Sequence, residues 1–62
     1  MSYSNALEYL AEKLAEERAT IVETLIQGKL NEGEYKRLCG ALQGLDLAKN
    51  HTKDLAKRLE QE

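Results

Sequence analysis

The side chains able to do chemistry are few. The chain has 62 residues, with a single histidine, a single cysteine, nine Lys and Arg, and eleven Asp and Glu. A catalytic imidazole needs a nucleophile on one side and an orienting group on the other. His51 has no Ser, Cys or Asp at a spacing that builds such a triad, and Cys39 lies about three helical turns away. No catalytic residue is therefore expected, and the chain reads as a non-enzyme without a small-molecule substrate. One cysteine excludes an intrachain disulfide, and the absence of a Cys/His cluster excludes a structural metal site. No cofactor is implied. Cys39 reads as a small, half-buried apolar residue beside Leu38. A reduced compartment suits it.

Charge forms two ladders. Glu8, Glu12 and Glu16 recur every four residues near the start, and Lys49, Lys53 and Lys57 recur likewise near the end. On helices each ladder lies along one side. If the helices are antiparallel, Glu8 and Glu12 come near Lys49 and Lys53, and the ladders pair across the open end. The competing reading is a basic stripe, ending in Arg58, for RNA or DNA. The net charge of −2 and the lack of interleaved aromatics argue against nucleic acid. Arg18 stands apart, inside an apolar stripe. It can snorkel to solvent or reach a partner's carboxylate.

The elements that carry these residues are helices. There is no Pro, and 32% of the chain is charged. Leu, Ala, Glu and Lys dominate, which favours long amphipathic helices, and no segment alternates as a strand does. The first helix is expected over about residues 5–27, opened by Asn5 with Glu8 as a capping box. Its apolar positions are Leu7, Leu10, Ala11, Leu14, Ala15, Ile21, Val22 and Leu25. It ends where Gly28 can adopt the left-handed conformation. A turn over 28–31 follows, then a second helix over about 32–60, capped by Asn31 with Glu34 three residues on. Leu38, Leu45, Thr52 and Leu59 form one heptad seam position, and Ala41, Ala48 and Leu55 the other. The short connection makes the helices antiparallel neighbours, with Leu14 near Leu45, Ile21 near Leu38 and Leu7 near Thr52. The expected fold is all-α: one antiparallel two-helix hairpin, about 36–42 Å long.

A hairpin of this size buries too little surface to stand comfortably alone. Completion by a second copy or by docking on a larger protein is the usual remedy. Gly40 and Gly44 stand four apart in the middle of the second helix, away from the stripe, each costing about 1 kcal/mol against Ala. With Leu47, Cys39 and His51 nearby they read as a second contact surface, or else as tolerated glycines beside one exposed leucine. Tyr35, close to the turn, either anchors an interface or covers the end of the seam. The expected partner-binding residues are thus Tyr35, Cys39, Gly40, Gly44, Leu47, His51 and Arg18. No apolar run approaches the ~20 residues of a membrane span. The segment from Met1 to Asn5 lacks the basic and apolar regions of a secretory leader.

The run Tyr35-Lys36-Arg37-Leu38-Cys39-Gly40, then Gly44-Leu45-Asp46 and Asp54-Leu55-Ala56-Lys57-Arg58, resembles a group of very short tailed-bacteriophage proteins. They share a Tyr-x-x-Leu-Cys-Gly-x-x-x-Gly-Leu core on a helical hairpin. The resemblance covers the chain from about Leu7 onward, and beyond the core run it is generic helix. It implies a phage protein encoded near packaging and head-assembly genes, located in the virion or in the host cytoplasm during infection. It implies a structural or accessory role on a larger virion component (portal, neck or capsid), in several copies. It carries over no catalytic residues. It implies that Leu38, Cys39, Gly40, Gly44 and Leu45 form a common contact surface. Two other readings stand beside it: a small phage regulator that binds a host protein, and a dimer similar in architecture to the Rop-type plasmid RNA regulators. The latter likeness rests on shape alone, and shape does not transfer function.

Overall fold

The computed structural model describes residues 3–61. Met1 and Ser2, part of the segment read for a secretory leader, lie outside the described residues.

The chain is an all-α antiparallel hairpin of two helices, α1 (Tyr3–Gln27, 25 residues) and α2 (Glu32–Gln61, 30 residues). It extends 47 × 17 × 13 Å. That exceeds the expected length because α2 alone, at about 1.5 Å per residue, is roughly 45 Å long. No described helix is long and apolar enough to cross a membrane.

Local chemistry sets the turn. Gly28 has φ +70°, and its N–H donates to the Leu25 carbonyl at 3.2 Å, closing α1 as a left-handed glycine does. Asn31 then starts α2. Its Oδ1 accepts from the Glu34 N–H at 2.8 Å, and its carbonyl accepts from the Tyr35 N–H at 3.0 Å. Glu32 and Glu34 occupy the first turn of α2, where the helix dipole favours acid, and Arg58 occupies the last. At the other end the expectation needs correction. Asn5 lies two residues inside α1, so it is not the N-cap, and the Asn5/Glu8 box does not open the helix.

The seam is real and shallow. Leu7, Leu14 and Ile21 on α1 and Leu38, Leu45, Thr52 and Leu59 on α2 are all half-buried. The second heptad position is shifted. Ala48 is half-buried, but Ala41 and Leu55 are exposed, and Leu42 and Ala56 take their place beside the main stripe. Two helices share one line of contact, so only residues on or next to that line lose solvent. Thr52 can sit among leucines because its hydroxyl donates to the Ala48 carbonyl one turn back, at 2.8 Å. Among the described residues none is fully buried. The hairpin has a seam but no core.

Candidate functional site

Three surfaces separate around the seam, following from a rotation of about 100° per residue. On one edge an open groove runs almost the length of the hairpin, from Tyr3 to Ile26 on α1 and from Leu45 to Glu60 on α2. Its volume of ≈ 1230 Å³ lies above the range of about 300–1,000 Å³ usual for small-molecule pockets. Its floor is small and apolar on α1: Ala11, Ala15, Ala19, Val22 and Ile26. Ile26 is 78% exposed, a large apolar side chain with nothing over it. The opposite edge of α1 is mixed, carrying Leu10, Lys13, Glu17 and Thr24.

Arg18 lies in this groove, bonded within its own chain. Its Nε donates to Asp46 Oδ1 on α2 at 3.1 Å, the one inter-helix ion pair among the described residues. The two side chains are 48% and 50% exposed, so the pair fixes register more than it stabilises, at about 0–1 kcal/mol. The other ion pairs join neighbours on one helix: Lys13–Glu16, Lys36–Glu32 and Arg58–Asp54.

The expected pairing of Glu8 and Glu12 with Lys49 and Lys53 is not made among the described residues. Residues four apart drift by about 40° around a helix. Each ladder therefore winds away from the seam. Glu8, Lys49 and Lys53 end on the rim of the groove, and none of the three makes an ion pair among the described residues.

The second surface is a strip on the outer side of α2. Gly40, Gly44, Leu47 and His51 fall within about 60° of the helix circumference, facing away from α1. All four are exposed, Leu47 by 59%. A Cβ added to Gly40 or Gly44 would meet nothing within 4 Å. No contact among the described residues therefore explains either glycine. Cys39 does not belong to this strip. It is half-buried and rotated by about 80° from Leu47, toward the groove.

The third surface is a small recess at the turn, bounded by Leu25, Gly28, Leu30, Asn31 and Tyr35. Tyr35 lines it and remains 54% exposed.

Of the seven expected partner-binding residues, the fold thus brings Gly40, Gly44, Leu47 and His51 together, and sets Tyr35, Cys39 and Arg18 elsewhere. The sequence reading did not separate the groove from the seam. The signal was present as a second stripe, Ala15, Val22 and Ile26, offset from Leu7, Leu14 and Ile21 by roughly 80–100°. Among the described residues no group of three or more His, Cys, Asp or Glu is placed to hold a metal ion. Comparison of the chain with protein-family models, with curated proteins and with solved structures gave no match.

Proposed function

We propose that the chain is a non-enzymatic accessory protein of a tailed bacteriophage, a helical hairpin that acts by docking on a larger virion component, portal, neck or capsid, in several copies. The observation that carries the docking is the missing core: no described residue is buried, and an apolar groove lies open along the hairpin. A chain that leaves this much apolar surface wet gains by associating. The phage setting rests on the resemblance of the Tyr35–Gly40 and Gly44–Asp46 runs.

The outer strip is the surface offered to the larger component. Gly40 and Gly44 let another backbone approach closely, and Leu47 supplies an apolar anchor. Mass spectrometry of purified virions, quantified against the portal subunit, tests the reading. A fixed stoichiometry with portal, neck or capsid protein is expected. Complete absence from virions would contradict it. Gly44→Leu is expected to preserve helicity and abolish incorporation, because it fills the space the partner's backbone needs.

A second reading has one observation in its favour. Lys49, Lys53 and Lys57 make no ion pair among the described residues, which leaves a basic run for a Rop-like RNA-binding dimer. That reading requires RNA affinity that falls steeply with salt and disappears on charge reversal at these lysines.

A further inference from the structure

The groove and its rim identify what lies over it. Size scaling gives a folded monomer of this mass an accessible surface of about 4,000 Å². The 7.0 kDa hairpin exposes 5210 Å². The excess is roughly 1,200 Å² per chain, or about 2,400 Å² for a pair, which is the size of an obligate homodimer interface.

Chemistry along the groove is polarised, and the polarity is self-complementary. On α1 the edge is acidic at the open end, with Glu8 on the rim and Glu12 behind it. At the turn end Val22 and Ile26 stand beside one carboxylate, Glu23. On α2 the edge carries Lys49 and Lys53 toward the open end, with Glu60 in its last turn. Tyr35 lies about five turns before Lys53, and Cys39 about two turns before Asp46, so both stand on the same edge toward the turn. Glu8 therefore meets the lysines, and Val22 and Ile26 meet Tyr35 and Cys39, only when α1 of one chain lies on α2 of another with both turns at the same end. With the turns at opposite ends, Glu8 would face the Val22–Ile26 end, and the lysines would face Tyr35 and Cys39.

Resting on the docking reading above, we propose that the groove is covered by a second copy of this chain, related by a two-fold axis along the hairpin, to form a four-helix bundle. Ala11, Ala15 and Ala19 allow the close axial approach such packing uses. The Arg18–Asp46 pair gives the register. Ten residues from each toward the open end are Glu8 and Ala56, so the partner copy's Lys53 comes within one turn of Glu8. The ladders that fail to pair within the hairpin pair between hairpins, twice by symmetry. The outer strip stays uncovered, one on each side of the bundle, for the larger component.

Sedimentation equilibrium with charge-swapped chains tests this. Wild type is expected at twice 7.0 kDa. One variant, E8K/E12K, is basic on both edges, and another, K49E/K53E, is acidic on both. Each alone is expected to self-associate about tenfold more weakly than wild type, since like charges replace modest attractive pairs. Mixing them should restore dimers containing one of each. E17K, on the edge of α1 opposite the groove, should associate as wild type does.

A dimer whose swapped variants gain nothing on mixing would overturn the arrangement. A poorly ordered wild-type monomer would overturn self-association and leave docking on another protein standing. A stably folded monomer with concentration-independent unfolding would overturn both this inference and the docking reading.

Discussion

At the scale of single residues, the turn is the best-determined part of the molecule. Gly28 adopts φ +70°, where any side chain meets the following carbonyl. Gly28→Ala should therefore lower stability by about 1–2 kcal/mol. Asn31 caps α2 through its bond to the Glu34 N–H. Asn31→Ala should lower stability by about 1 kcal/mol, read by urea unfolding. Gly40 and Gly44 go the other way. With open space where a Cβ would stand, G40A and G44A should each stabilise the isolated protein by up to about 1 kcal/mol. A loss of stability in the isolated chain would show that another chain's backbone already lies against them. These positions were legible from sequence because caps and left-handed glycines depend on a few adjacent residues. Asn5 was misread for the same reason. Its spacing to Glu8 satisfies a capping box, but local spacing cannot reveal that the helix has already begun at Tyr3.

At the scale of elements, the two helices and their seam follow from apolar residues recurring at threes and fours. The flanks of the seam do not. Leu55 and Leu42 stand at nearly equal distance from the central line in the sequence pattern, and only the packing makes Leu42 half-buried and leaves Leu55 exposed. The charge ladders show the same limit. A four-residue repeat looks like one side of a helix, yet over two steps it turns about 80°, enough to carry Glu16 off the groove rim on which Glu8 stands. The seam itself carries the stability of the hairpin. Leu45→Ala should cost about 1–2 kcal/mol, below the range for a fully buried leucine because Leu45 is only half-buried. Thr52→Leu should raise stability by up to about 1 kcal/mol, since the Thr52 hydroxyl bonds only its own helix and leucine adds apolar surface to the seam. Denaturant midpoints of the two variants check both signs.

At the scale of the whole molecule, the composition already pointed to a chain too small for a private core, and the hairpin has none among its described residues. What composition could not show is that an open groove with a small apolar floor runs along one edge, with Glu8, Lys49 and Lys53 on its rim. On the function proposed above, association is the property that this arrangement serves. The most direct test is thermal unfolding of the purified chain, followed by circular dichroism over about a hundredfold range of concentration. If association completes the core, the midpoint rises with concentration, by roughly 10 °C across that range. A sharp, cooperative transition at the same temperature throughout would contradict the account, because it would mean that the hairpin is stable alone.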